Sequence, residues 1–302
     1  MPVQFQFIFG FGYLGSRVGR RWLANGDWVW VVTRSQEKAR RLADEGFRPI
    51  VADLMDGAGL RAALDEGNVV PPVWRNVLFA VGHDRGSGHS IRDLYVQGLK
   101  NALDVLPLPW TGRFLYISST GVYGQTGGEM VDENSPAEPT REGGRACLEA
   151  EQSLTASEIA PRTVILRMAG LYGPGRIPRR QEVERGLPLG VAPNSCVNLI
   201  QMDDAATVVL ATAAAEHPSR LYVVSDDQPA RRGEFYGEMA RLLGAPEPQF
   251  TLPDQGSHVA RRSRSDKRIH SDKMKRELGV RLAFPTFREG LADAVSRDHR
   301  SS

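Results

Sequence analysis

Apolar positions in this chain come in short runs separated by polar stretches of helical spacing. Residues 3–9 (Val-Gln-Phe-Gln-Phe-Ile-Phe) form an aromatic, β-branched run of strand type. It breaks without a spacer into Gly10-Phe11-Gly12-Tyr13-Leu14-Gly15 and a helix-compatible stretch to Asn25. Residues 28–33 read as a second strand, and Ser35 fits the N-cap of a helix that carries Ala39, Leu42 and Ala43 before stopping at Gly46. Residues 47–51 read as a third strand and 76–81 as a fourth that runs into Gly82-His83. A long helix over 91–106 ends at Pro107, and a fifth strand over 113–117 closes on Ser118-Ser119-Thr120. Alternation of this kind predicts right-handed βαβ crossovers, with helices on both faces of a parallel sheet.

The order strand, G-x-G-x-x-G, helix gives the glycines a function beyond turning the chain. Gly10 permits the tight turn, Gly12 the close approach of a pyrophosphate to backbone, and Gly15 the packing of helix on strand. Tyr13, Leu14 and Gly15 open the helix, whose first N–H groups and dipole favour a diphosphate. This predicts a Rossmann-type doubly wound α/β fold over residues 1–173. A smaller α/β substrate lobe is expected over 174–302, with a return to the sheet near 197–225. Ligands bind at the carboxyl ends of such strands, where Asp53 and Leu54, then Ala80, Val81 and Gly82, then Ser118 fall. An NAD site usually places Asp or Glu after the second strand, but here Thr33-Arg34-Ser35 stands there. Arg34 and Ser35 suit a 2′-phosphate, so NADP is favoured with NAD as the alternative. Against this, Arg34 could be a plain solvent-facing residue, and Asp53 either contacts adenine or forms a turn.

Composition changes this picture little. Apolar residues make up 41% and charged residues 25% of 302 positions, as in soluble globular proteins. No run of about 18 apolar residues suggests a membrane span, and the opening strand leaves no room for a secretory signal, so a cytoplasmic home is expected. Net charge +2 argues against nucleic acid. Cys147 and Cys196 have neither metal nor disulfide spacing. The basic stretch with Arg261, Arg262, Arg264, Lys267, Arg268, Lys273, Lys275 and Arg276 reads first as a solvated surface.

Four further segments carry a family resemblance. These are Ser118-Ser119-Thr120-Gly121-Val122-Tyr123-Gly124 with Asp132-Glu133-Asn134-Ser135-Pro136, then 166–176 with Tyr172-Gly173-Pro174-Gly175, then Asn198 to Ala206, and 265–291 with Glu277-Leu278-Gly279. The chain thereby resembles the extended short-chain dehydrogenase/reductases, the NAD(P)-dependent epimerase/dehydratase group, along nearly its whole length. That resemblance implies a catalytic Ser at Ser119 and a Tyr and Lys separated by three residues on the next helix. Glu151 matches the Glu that follows the Lys by four, so the Lys position falls at Cys147 and the Tyr position at Gly143. No Tyr-x-x-x-Lys occurs elsewhere.

Three readings of that departure stay open. A non-standard proton source could serve: Tyr123 with Ser119 is the first candidate, Tyr172, His83, Asp84 or Glu133 are others, and Arg141 or Arg145 is the local cation. Cys147 as a nucleophile is the least favoured. Alternatively the protein is an inactive, NADP-binding regulatory or interaction protein, or a relic that binds nucleotide only for stability. The enzymatic reading implies a nucleotide sugar or small carbonyl substrate. Arg176, Arg179, Arg180 and Arg185 either meet an anionic group of it or form a solvated face. No metal site is expected. The helices 91–106 and 144–158 lie where the family commonly dimerises, implying a homodimer.

Overall fold

Phe5–Phe9 forms β1, and its alternation sets the layers of the fold. Phe7 and Phe9 join a core cluster with Leu60 of α3 (Gly57–Glu66), Leu99, Ala102 and Val105 of α4 (Gly98–Val105), and Ala150 and Leu154 of α5 (Glu142–Thr155). Ile8 faces the other way, onto α1 (Tyr13–Ala24), where its side-chain carbons lie against Gly15 and Gly19. Period-2 alternation with both faces apolar is what a parallel sheet covered on two sides requires. The computed structural model describes residues 3–67, 74–83, 86, 88–106, 112–251 and 266–301. Asp84, Pro107 and Arg261 to Arg264 lie outside the described residues.

Among the described residues the main sheet has seven strands. Besides β1 these are β2 (Trp28–Thr33), β3 (Arg48–Val51), β4 (Asn76–Phe79), β5 (Arg113–Ser119), β7 (Thr163–Met168) and β11 (Leu221–Val224), in the order β11-β7-β5-β4-β1-β2-β3. Strands β3, β2, β1, β4 and β5 pair in parallel, with Phe7 opposite Trp30 on one side and Val77 on the other. The order reverses between β1 and β4, which makes a topological switch point beside the glycine turn. Ser35 caps α2 (Gln36–Asp44) by accepting the Lys38 N–H at 3.2 Å, as its position before the helix predicts.

Two compact units share the chain: one holds Met1–Val122, Glu142–Arg167 and Val209–Leu221, the other Tyr123–Arg141, Met168–Val208 and Tyr222–Ser302. Val209–Leu221 thus joins the first unit from beyond residue 173, and Tyr123–Arg141 joins the second from before it. The second unit contains β6 (Glu129–Val131), β8 (Gly170–Tyr172), α6 (Arg180–Glu184), β9 (Cys196–Val197), β10 (Leu199–Gln201), β12 (Ala230–Arg231), α8 (Arg232–Leu243), β13 (Lys267–Ile269), α9 (Asp272–Leu278) and α10 (Phe287–Ser301). Its core gathers Tyr172, Leu199, Phe235, Met239, Phe287 and Leu291. Helix α7 (Met202–Ala214) begins one residue before Asp203, so Asp203 and Asp204 lie in its first turn. Asp204 accepts the N–H groups of Ala283 and Phe284 at 2.9 and 2.8 Å.

Candidate functional site

The glycine turn is held by backbone contact. Gly10 has φ +90°, and a Cβ there would lie 2.5 Å from the Ala80 carbonyl carbon; one on Gly15 would lie 2.2 Å from the Gly10 oxygen. Gly12 differs, being exposed with nothing within 4 Å of its missing Cβ. It N-caps α1 with no side-chain cap and no acidic residue in the first turn. A dinucleotide diphosphate fits this open, dipole-favoured end, with Tyr13, Leu14 and Gly15 supplying the first-turn backbone.

Around this turn the predicted positions diverge. Arg34 is exposed after β2, and Ser35 uses its oxygen for the helix cap. Asp53 accepts the Met55 N–H at 2.9 Å, the turn reading of that residue. Leu54 buries its side chain in the core and offers its carbonyl to Asn101. Ala80 and Val81 are half-buried and Gly82 exposed, at the edge next to Gly10. Lys38 was not singled out by the sequence. Its ammonium donates to the Phe11 carbonyl at 2.7 Å, and burial, Arg41 and Arg20 lower its pKa. Helical side chains lean back toward the N-terminus, and that lean carries Lys38 over the glycine turn.

Behind the fifth strand lies a buried polar cluster. Ser118 donates to Glu151, and Arg167 closes on the same carboxylate with Nη2 at 2.7 Å and Nε at 3.1 Å. The pair is nearly inaccessible, at 7% and 5% side-chain exposure. Cys147 and Tyr116 are buried on the same face. Burial pushes the Tyr116 phenol well up, with Cys147, Glu151 and Tyr95 adding to the effect. Ser119 is half-buried, and its hydroxyl accepts the Gly121 N–H at 3.0 Å. Ile91 occupies the space over Gly143, at 3.1 Å from where a Cβ would stand.

The second unit holds the other candidates. Tyr123 is buried and donates its hydroxyl to the Asp132 carbonyl at 2.7 Å, which commits the phenol within that segment. Glu133 accepts the Val223 N–H at 2.8 Å. Tyr172 is fully buried, and burial raises its pKa, which removes it as a proton source. Arg180 is committed to Glu184 and Asp298. The basic run predicts a solvated Lys267, yet it is buried at 3% exposure and donates to the Tyr123 carbonyl at 2.7 Å. Burial and the nearby Arg141 lower its pKa to about 8. Among the described residues no cluster suits a metal ion, and no helix is long and apolar enough to cross a membrane.

Known proteins supply the remaining context. Residues 7–195 match the NAD dependent epimerase/dehydratase family. Protein YeeZ of Escherichia coli (strain K12) is 31% identical over 195 residues, which cover 64% of this chain and 66% of that protein, a little under two thirds of its length. Human short-chain dehydrogenase/reductase family 42E member 1 is 26% identical over 272 residues, covering 81% of this chain and 68% of that one. The UDP-glucose 4-epimerase of Thermus thermophilus, solved with NAD, shares the fold at TM-score 0.78 and 18% identity, covering 99% of this chain and 100% of its own. With the glycine turn and the seven-stranded sheet, these matches make the chain an extended short-chain dehydrogenase/reductase of the NAD dependent epimerase/dehydratase family.

Proposed function

We propose that the protein binds NADP in its first unit and acts as a reductase or epimerase on a small carbonyl compound or nucleotide sugar. The observation that carries this is the open N-terminus of α1: Gly12 leaves it uncovered while Gly10 and Gly15 are locked by backbone. Bound dinucleotide supplies or accepts the hydride. Exposed Arg34 suits a 2′-phosphate, Lys38 offers a second cation beside the glycine turn, and β2 ends in Thr33 with no carboxylate in the strand to hold an unphosphorylated ribose. Ser119 offers a hydroxyl at the end of β5 for a substrate oxygen. The NAD in the Thermus thermophilus epimerase and the family's name support a nicotinamide cofactor. A second reading, a cofactor-binding regulatory protein, is favoured by one fact: no Tyr in the chain is followed four residues later by Lys.

Calorimetry of protein stripped of nucleotide tests the first reading, with NADP expected to bind at least tenfold tighter than NAD. Arg34→Ala should remove that preference. Binding of neither nucleotide sinks the proposal. NADPH oxidation followed at 340 nm across UDP-sugars and aldehydes then separates enzyme from binding protein.

A further inference from the structure

Helix α4 is entered through a π-helical turn, Asp93–Gln97, with Tyr95 at its centre. Such turns are rare and concentrate at functional sites. The Tyr95 hydroxyl accepts the backbone N–H of His83 at 3.4 Å, and the His83 ring is held by the His89 carbonyl at 3.1 Å. His83 continues the loop of Ala80, Val81 and Gly82, whose backbone lies against Gly10. The phenol is therefore tied to the loop that closes on the glycine turn. On its other side, the helix that carries Tyr95 meets α5. Ile91, one turn before Tyr95, fills the space over Gly143, and Arg92 pairs with Glu149 at 2.8 Å. A Cβ at position 143 would press on the end of Ile91, one turn from Tyr95 on the helix that packs there. Tyr116 is buried, and burial, with Cys147, Glu151 and Tyr95 adding to the effect, keeps its phenol neutral.

We propose that Tyr95 is a catalytic residue: its hydroxyl exchanges a proton with the substrate oxygen, the task that α5 lacks the side chains to perform. In the reductive direction the carbonyl carbon accepts hydride from the reduced dinucleotide and its π pair moves to oxygen. Tyr95 gives that oxygen its proton, and water reprotonates the phenolate. The carbonyl is reduced to an alcohol and the dinucleotide is oxidised, so electrons and protons balance. The inference rests on the cofactor reading above.

Ionisation of tyrosine, read by absorbance near 295 nm with and without NADP, tests it apart from turnover. A phenol beside the cationic nicotinamide ring should titrate about one pH unit lower in the loaded protein. Tyr95→Phe should abolish that shift and Tyr116→Phe should not. In turnover, Tyr95→Phe should lower kcat by roughly 10²- to 10⁴-fold with little change in KM for NADPH. An unchanged titration and unchanged kcat overturn the proposal, while failure of the unaltered protein to bind NADP overturns the cofactor reading instead. Should Tyr95→Phe not fold, 3-fluorotyrosine labelling of the unaltered chain gives seven fluorine signals. One of them must titrate lower on NADP addition, a direction opposite to that of Tyr13 beside an anionic diphosphate; no downward shift overturns the proposal.

Discussion

In the glycine turn each position answers to backbone: Gly15 lies against the Gly10 carbonyl, Gly10 against Ala80, and Gly12 stands open. In α5, within the same unit, the positions answer to side chains, and there the pattern splits. Glu151 keeps its buried bonds to Ser118 and Arg167, while Gly143 and Cys147 carry neither phenol nor amine. A diphosphate is recognised by main-chain N–H groups, so that capacity persists as long as the turn keeps its shape. Proton transfer needs one particular side chain, and a neighbouring helix can supply it without disturbing the scaffold. Diphosphate recognition and proton transfer are thus separable demands on this fold.

The largest effect is expected at Glu151. Glu151→Ala leaves the Arg167 guanidinium buried without its carboxylate and should cost about 3–5 kcal/mol of unfolding free energy in denaturant titration. Next is the turn itself. In Gly15→Ala a methyl meets the Gly10 oxygen, so α1 must shift; a loss of about 3 kcal/mol is expected, together with loss of NADP binding in calorimetry. If Gly15→Ala binds NADP normally, the turn is not the diphosphate site.

Lys267 carries the contrast into the second unit, where a buried charge has Arg141 for company where Glu151 has an opposite one. Its folded pKa, about 8, lies below its ordinary 10.5. Between those values the unfolded chain holds the proton and the folded one does not, so stability rises with pH across pH 8–10.5. The shift corresponds to about 3 kcal/mol, with the full cost of burial felt below about pH 8. Lys267→Met should flatten that rise in a series of thermal melts. The smallest effect is at Ser35: Ser35→Ala removes the cap of α2, at about 1 kcal/mol, and leaves NADP affinity almost unchanged. A large loss of affinity there would mean that the hydroxyl touches the cofactor.

What was legible in the sequence is what local rules decide. The strand before Gly10, the Ser35 cap and the alternation of βα units depend on neighbours a few residues away, and the family segments follow from residue identity. The turn at Asp53 is equally local, as an Asp accepting an N–H two residues on. What escaped involves partners far along the chain. Nothing local to Asp204 tells that its carboxylate holds the N–H groups of residues 283 and 284. Lys267 looks like one charge in a basic run, and only its parallel pairing beside β6 buries it. Tyr95 sits mid-helix with no motif around it, and the π-turn that presents it leaves no sequence signature.

The bond from Lys267 to the Tyr123 carbonyl joins residues 144 positions apart. On a ribosome adding about 5–20 residues per second, the segment that begins at Tyr123 waits roughly seven to thirty seconds for its lysine to be made. During that interval β6 has an unpaired edge, so slowing translation of the last third of the message should expose nascent chains to chaperones for longer.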